Sequence, residues 1–311
     1  MPNTASFLPI PFIFGPVAGG ETVPKMFRKE YMGGRWVYQI LRNGFRWLGE
    51  HDPFVRATIK RSLMVLAASE ATFQRVEHLG SSKVMLSGPQ VGINQEEMTC
   101  LGKLRIAPKT PFRLMCIGRL LHWKGTHLSL QAFAQSKLEN SELWIVGTGP
   151  EGKYLRHLAM QLDIADRVKF LDWLPREEVW KRLELCHVLL HPCLRGLVTT
   201  AHLEAMAARR PVITVGVNDQ PQILFSHEMG VKVTASSPDG IVANMSTAIV
   251  ELSTNRLLRE QVGERQRDCV ARKFIWDQKV TMLEALYLQA TELHKGSLIV
   301  YNREDVFTTL H

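Results

Sequence analysis

The sequence predicts an α/β protein whose C-terminal two-thirds folds around a parallel sheet with helices on both faces. Three observations carry this. From residue 112 onward, short apolar runs alternate with helix-length amphipathic segments. The runs are almost continuously apolar, as strands buried on both faces are. The chain has 311 residues, 45% of them hydrophobic and 22% charged, which suits a packed protein of about two domains and excludes disordered, collagenous and low-complexity classes.

Taken in order, residues 10–14 (IPFIF) read as a short buried strand ending in a Gly-rich turn, Gly15–Glu21. Residues 25–61 read as mostly helical and basic, with nine Lys or Arg against three acids. Tyr31, Trp36, Tyr38, Phe45, Trp47 and Phe54 are interleaved with them. That pattern fits either a solvated basic face on amphipathic helices or a surface that meets anionic lipid. No nucleic-acid motif accompanies it, so no nucleic-acid partner is expected. Strands are expected at 64–68 and 83–86, around a helix that Ser69 would cap. The segment 98–111, with Gly102, Pro108 and Pro111, reads as a linker. Beyond it, strands are expected at 113–118, 142–147, 167–171, 187–191, 211–215 and 231–234. Helices fill the intervals near 126–137, 151–162, 176–185 and 199–208, and three long helices near 238–252, 255–272 and 276–294 follow.

Five cysteines stand singly, with no C-x-x-C pair, which speaks against a disulfide framework or zinc knuckle and for a reducing, cytoplasmic setting. Residues 1–20 hold no charged side chain, and Pro9, Pro11 and Pro16 interrupt them, so they lack the basic start and helical apolar stretch of a signal peptide. No run approaches the ~20 apolar residues of a membrane span. The formal net charge of +8 leaves room for an anionic partner. Residues 1–105 hold 13 basic and 8 acidic side chains, so most of the excess lies in the N-terminal third.

Parallel sheets bind ligands at the carboxyl ends of their strands, so the loops there are the candidates for chemistry. One is Gly147-Thr-Gly149-Pro-Glu-Gly152-Lys153-Tyr154. It matches the dinucleotide fingerprint G-x-G-x-x-G, with Asp172 placed 20 residues on for a ribose hydroxyl, so an NAD(P)-dependent oxidoreductase stays open. It also approaches a P-loop, but Tyr154 stands where Ser or Thr would ligate a metal. A tight turn with no ligand is the third alternative. The loop after 113–118 holds Gly118, Arg119 and Lys124. Two cations five residues apart suit a diphosphate: Arg forks onto phosphate and Lys adds a mobile charge. Glu204 lies one turn inside a short helix, where a carboxylate accepts hydroxyls of a diol or simply complements the helix dipole. His187 and His191 share a strand face without being adjacent, and read as strand-end residues rather than metal ligands.

Four runs in order, CIGRLLHWKGTHLSLQAF, LWIVGTGPEGKYLRHLA, VKFLDWLPREEVWKRLELCHVLLHPCLRG and LEAMAARRPVIT, resemble the donor domain of nucleotide-sugar glycosyltransferases. The likeness is to the retaining group 1 family (family four), whose GT-B fold joins two Rossmann-like domains. The ending FIWDQKVTMLEALY resembles that family's last helices, and PFIFGPVAGGETVP resembles part of its acceptor domain. The resemblance implies a partial, incomplete acceptor-side domain over 1–105 and a donor domain over 106–275. A helix crossing back, with a tail, would occupy 276–311. It further implies that Arg119 and Lys124 stabilise the leaving diphosphate and that Glu204 binds the ribose. Leu171, Asp172 and Leu174 would flank the base, and Gly118, Gly147 and Gly149 would line the donor site. Arg195, Gly196, Thr199 and Thr200 would form the loop over diphosphate and sugar. Gly19, Gly20 and Glu21 would face the acceptor. No metal and no cofactor are implied, the nucleotide-sugar being a substrate. The acceptor would be a carbohydrate or a lipid-linked molecule, met at the inner face of a membrane through 25–61. The sequence departs from the family at Gly196, eight positions before Glu204, where an acid usually contacts the sugar. A non-catalytic nucleotide- or sugar-binding relative is therefore the second reading.

Overall fold

Residues 7, 10–23, 27, 35–81, 83–195, 198–216, 231–234 and 237–294 are described by the computed structural model. The chain divides into two compact units. One comprises Met1–Thr22, Phe27–Gln90 and Asp277–His311, and the other Val23–Met26 and Val91–Trp276. The principal division thus falls at Gln90/Val91, earlier than the boundary expected at 105/106.

In the first unit, β1 (Ile13–Val17), β2 (Met64–Ala67) and β3 (Val84–Leu86) form a parallel sheet in the order β1-β2-β3. β1 lies three residues later than expected because the chain runs through Gly15-Pro16 instead of turning there. The pairing shifts between Phe14 and Val17, a bulge that accommodates them. Proline is tolerated because β1 is an edge strand, where a missing N–H breaks no ladder on the outer side. A side chain at Gly15 would strike the Leu66 carbonyl at 2.5 Å. Helix α1 (Arg35–His51) and α2 (Pro53–Arg61) are separated at Asp52, whose carboxylate accepts from the Phe54 amide. Ser69 caps α3 (Glu70–His78), accepting from the Thr72 amide at 3.2 Å. Residues 24–26 and 28–34 of the basic stretch lie outside the described residues.

In the second unit, six parallel strands are ordered β6-β5-β4-β7-β8-β9. They are β4 (Phe112–Ile117), β5 (Ser141–Val146), β6 (Val168–Phe170), β7 (Val188–His191), β8 (Val212–Gly216) and β9 (Val231–Thr234). Helices α5 (Thr126–Ser136), α6 (Gly152–Gln161), α7 (Arg176–Leu185) and α8 (Thr200–Ala207) follow β4 to β7 in turn. Helices α9 (Pro238–Thr254), α10 (Arg256–Lys273) and α11 (Trp276–His294) come after β9. The strand interiors, among them Leu114, Met115, Leu143, Ile145, Leu189 and Ile213, are almost fully buried, which is why they read as unbroken apolar runs.

The expected linker 98–111 is wrong in its first half: α4 (Gln95–Gly102) occupies it. Asn94 and Glu97 form a capping box, the side chain of each accepting from the other's amide. Met98 and Leu101 anchor α4 in the core. The end of this unit is tied to its beginning: Ile93 pairs with Ile275, and the Trp276 amide donates to the Ile93 carbonyl. From Asp277 the chain groups with the first unit, where Lys279 donates to the Pro89 carbonyl at 2.6 Å.

Candidate functional site

The strand order sets the location. From β4 the chain moves outward to β5 and β6, then returns to place β7 on the other side of β4. The connections after β4 and β7 therefore leave in opposite directions, and a crevice opens between the carboxyl ends of these two strands. It is lined by Gly118, Arg119 and Lys124 from the β4 loop and by His191 and Pro192 from the β7 loop. The two cations expected at one site are thus brought together.

Backbone contacts stitch the loops around this crevice. Gly118 donates to Val146, Leu120 to Thr148, Glu151 to Leu120 and Leu194 to Trp123, all between 2.9 and 3.1 Å. These contacts explain the glycines of the fingerprint. A Cβ on Gly147 would lie 2.1 Å from the Gly118 carbonyl oxygen, and one on Gly149 would lie 2.4 Å from that of Leu120. Both glycines are needed where loop meets loop. Gly118 differs: it has φ +142° and would meet nothing within 4 Å, so its open side faces the crevice.

Arg119 is exposed and Lys124 half-buried, and neither has a carboxylate partner among the described residues. Arg113, Arg156 and Arg176 of the same unit are all paired, with Glu142, Asp172 and Glu204. Lys124 holds its ammonium 4.8 Å from the Trp123 ring centre, and the Arg195 guanidinium lies 4.3 Å from the same ring. Arg195 is buried, and its Nε and Nη2 lack a hydrogen-bond partner among the described residues. Gly196 and Leu197 lie outside the described residues.

Glu204 is buried on α8, and Thr199 caps this helix, accepting from the His202 amide. Arg176 Nε donates to Glu204 Oε1 at 2.5 Å, and Arg176 Nη1 pairs with Glu97. Burial raises the Glu97 carboxyl, but the Arg176 hydrogen bond, the Asn94 amide and the Arg176 charge together outweigh it and hold the group below its usual range. Desolvation opposes the Arg176 charge, and the two carboxylates overcome it. Glu204 is therefore aimed through Oε1, with no hydrogen bond to Oε2 among the described residues. Sequence reasoning missed Arg176 and Glu97. The signal was available: a cation in the first turn of a helix opposes the helix dipole and calls for acidic partners.

The segment after β6 divides by exposure. Leu171 and Leu174 turn inward against the core, whereas Trp173 is 72% exposed. Asp172 has φ +43°, accepts the Gly147 amide through its carbonyl at 2.5 Å, and extends its carboxylate to Arg156 at 3.4 Å. Its side chain is 73% exposed. Thr200 is exposed at the start of α8.

In the first unit, Gly19 has φ +120° and open space around it, but Glu21 is 3% exposed. Ser69 Oγ donates to its Oε1 at 2.5 Å and the Gly19 amide to Oε2 at 3.2 Å. The Gly20 amide donates to Thr72 Oγ1, and a Cβ on Gly20 would strike the Ala71 backbone at 2.6 Å. The carboxylate expected to face an acceptor instead locks the turn onto the N-terminus of α3, where its charge is favourable. Among the described residues no cluster of His, Cys, Asp and Glu is arranged to hold a metal.

Residues 104–268, just over half of the chain, match the family described as glycosyl transferases group 1. WcaL of Escherichia coli (strain K12), whose name ascribes it to colanic acid biosynthesis as a glycosyltransferase, is 25% identical over 236 residues. The match covers 73% of this chain and 57% of WcaL, so the chain spans little more than half the length of that relative. Among solved structures, the Thermosynechococcus elongatus sucrose-phosphate synthase superposes with a TM-score of 0.63 at 19% identity, over 86% of this chain and 67% of that one. Anabaena HepE in complex with UDP and glucose gives 0.60 at 16% identity, over 76% and 65%. These are GT-B glycosyltransferases, and the likeness shows that the fold is shared.

Proposed function

The chain belongs to the group 1 glycosyltransferases, and from that premise we propose that it transfers a sugar from a nucleotide-sugar to an acceptor hydroxyl, with retention and without a metal. The observation that carries this is the pair of cations without carboxylate partners, Arg119 and Lys124, at the crevice between β4 and β7. When the bond from the sugar to the diphosphate breaks, negative charge collects on the departing oxygen. A guanidinium and an ammonium already in place stabilise that charge without reorganising. Thr199 and the N-terminus of α8 add backbone donors on the β7 side. Glu204, steered by Arg176, takes the ribose hydroxyls, and the segment 171–174 flanks the base. The acceptor hydroxyl is positioned rather than activated by a dedicated nucleophile, so orientation supplies the rest of the rate.

The acceptor is a carbohydrate or lipid-linked molecule at an anionic membrane surface on the cytoplasmic side. On α1, Val37, Ile40, Leu41, Phe45 and Leu48 follow helical spacing and are all exposed, with Phe54 exposed on α2. Arg56, Lys60 and Arg61 add positive charge on α2. An apolar stripe with basic neighbours supports seating in a lipid interface. No helix among the described residues is long and apolar enough to cross a membrane.

Two measurements test the proposal. Calorimetry with UDP, GDP and ADP should show one of them binding at micromolar affinity; absence of binding by all three rejects the donor site. Co-sedimentation should find the chain on phosphatidylglycerol vesicles and not on phosphatidylcholine vesicles; equal recovery from both rejects the anionic-surface role. Nucleotide binding with no sugar transfer or donor hydrolysis would establish the non-catalytic reading that Gly196 favours.

A further inference from the structure

A cavity of about 820 Å³ opens in the second unit at the amino ends of β4, β7 and β8. Its walls are residues 104–107 before β4, Cys186 and His187 before β7, Ala208, Arg209 and Arg210 before β8, and the first turns of α10. The donor crevice lies at the carboxyl ends of β4 and β7, and the two linings share no residue. Sites for small organic molecules run from about 300 to 1,000 Å³, and this volume falls among them.

The lining has two chemical parts. Ala107, Cys186 and Ala208 are buried and Leu104 is half-buried, which makes an apolar floor. Around it stand Arg209, Arg210, Arg256, Arg259 and Arg265, against Glu260 and Glu264. His187 adds no charge at neutral pH, because burial pushes it down to about 4. The lining therefore carries an excess of three positive charges. Arg256 pairs with Glu260 at 2.7 Å and Arg209 with Glu264 at 2.5 Å. All four of these side chains are exposed, where an ion pair is worth little and a ligand can take its place. Arg210 donates to the carbonyls of Leu183, Arg105 and Glu184, and Arg259 to that of Leu252. Carbonyls satisfy the hydrogen bonds without neutralising the charge. Desolvation holds both guanidinium groups below their usual range, although Glu184 and Glu260 favour the charged forms. Glu184 is itself engaged by Arg105 at 2.9 Å. Arg265 is exposed and has no carboxylate partner among the described residues. Arg256 and Arg259 also open α10, whose first turn holds no acid. A helix N-terminus favours negative charge, so these cations oppose the dipole and an anion beside them relieves both.

We propose that this cavity binds a phosphate-bearing organic molecule, with its phosphate among the arginines and its body on the apolar floor. A phosphate monoester brings close to two negative charges and three acceptor oxygens, which guanidinium groups grip in pairs, whereas a carboxylate brings one charge. The site is independent of the donor crevice.

Calorimetry on the full chain with phenyl phosphate and inorganic phosphate tests this. Phenyl phosphate should bind at least about tenfold more tightly than inorganic phosphate, because only its ring covers the floor. Arg256→Gln combined with Arg265→Gln should weaken phenyl phosphate at least about tenfold, while the melting temperature and the affinity for UDP or GDP hold, since both side chains are exposed. Arg119→Ala combined with Lys124→Ala should leave phenyl phosphate affinity within about twofold. Absence of phenyl phosphate binding at millimolar concentration overturns the proposal, and so does equal affinity for the two probes. Binding lost in the Arg119 and Lys124 variant but kept in the Arg256 and Arg265 variant overturns it too, because the probe would then be reading the donor crevice. A chain that binds phenyl phosphate as expected but neither UDP nor GDP keeps this site while the donor reading falls.

Discussion

Removing Lys124 and Arg119, singly and together, exposes the donor site most directly. Neither cation has a carboxylate partner among the described residues, so Lys124→Ala and Arg119→Ala break no ion pair seen there. Lys124 gives up a cation–π contact at 4.8 Å, about 0.5 kcal/mol at a partly exposed site. Melting temperatures should therefore move by no more than about 2 °C. Diphosphate affinity should move far more. A hydrogen bond to a charged group is worth about 1.5–3 kcal/mol, and exposure puts Arg119 at the low end and half-buried Lys124 higher. Arg119→Ala should weaken binding about tenfold and Lys124→Ala ten- to a hundredfold. The double variant should lose more than either single variant, and short of the full product of the two factors because both cations would share one diphosphate. Titration calorimetry with the nucleoside diphosphate that binds, at two ionic strengths, measures all of this. A double variant that binds as the parent does would refute the placement of the diphosphate in the β4/β7 crevice.

Three other outcomes follow from the geometry. Burial, and next the charge of Arg259, pushes His187 down to about 4. Its Nδ1 accepts the Arg113 amide at 3.0 Å, with Arg210 and Arg113 as further nearby charges. Unfolded His187 binds a proton near pH 6.5 and the folded residue does not, so stability should fall as pH drops from about 6.5 to about 4, by about 3 kcal/mol in all. Denaturant titrations should show His187→Gln flattening that slope, and an unchanged slope counts against it. Gly149→Val drives a side chain into the Leu120 carbonyl, at 2.4 Å from the Cβ alone, and should destabilise the second unit by about 3 kcal/mol or more. A variant that melts like the parent but loses NAD(P) binding would instead revive the dinucleotide reading. Arg195→Met removes an unpaired buried charge and should raise the melting temperature of the ligand-free chain by about 2–4 °C, whereas a fall shows that its packing on Trp123 matters more.

Much of the fold was legible because the central strands β4, β5, β7 and β8 of the second unit are buried on both faces and sit between clear turn residues. The predicted and observed strands at β4 to β9 differ by at most one residue at each end. The failures have physical causes. Gly15-Pro16 reads as a turn, but an edge strand with a bulge absorbs both residues. The helix at Gln95–Gly102 was hidden by Gly102 and the prolines after it, although Asn94 and Glu97 spell its capping box. The glycines at 147 and 149 suit a ligand loop in any one-dimensional reading. Only the neighbouring carbonyls of Gly118 and Leu120 reveal why side chains are excluded there.

The sequence by itself determined the class of fold, the order of its elements and the identity of the cations and the carboxylate in its loops. Periodicity and turn chemistry are local properties, carried by residues a few positions apart. Tertiary structure decided which of those residues share a site. The return of β7 to the side of β4 opens the crevice that unites Arg119 with Lys124. A packed turn takes Glu21 out of service as an exposed carboxylate, and α7 delivers Arg176 to Glu204. Arg195 is an ordinary loop cation in the sequence; only the folded chain buries it against Trp123. Such surroundings arise from residues far apart along the chain, because desolvation and pairing depend on what surrounds a charge in space.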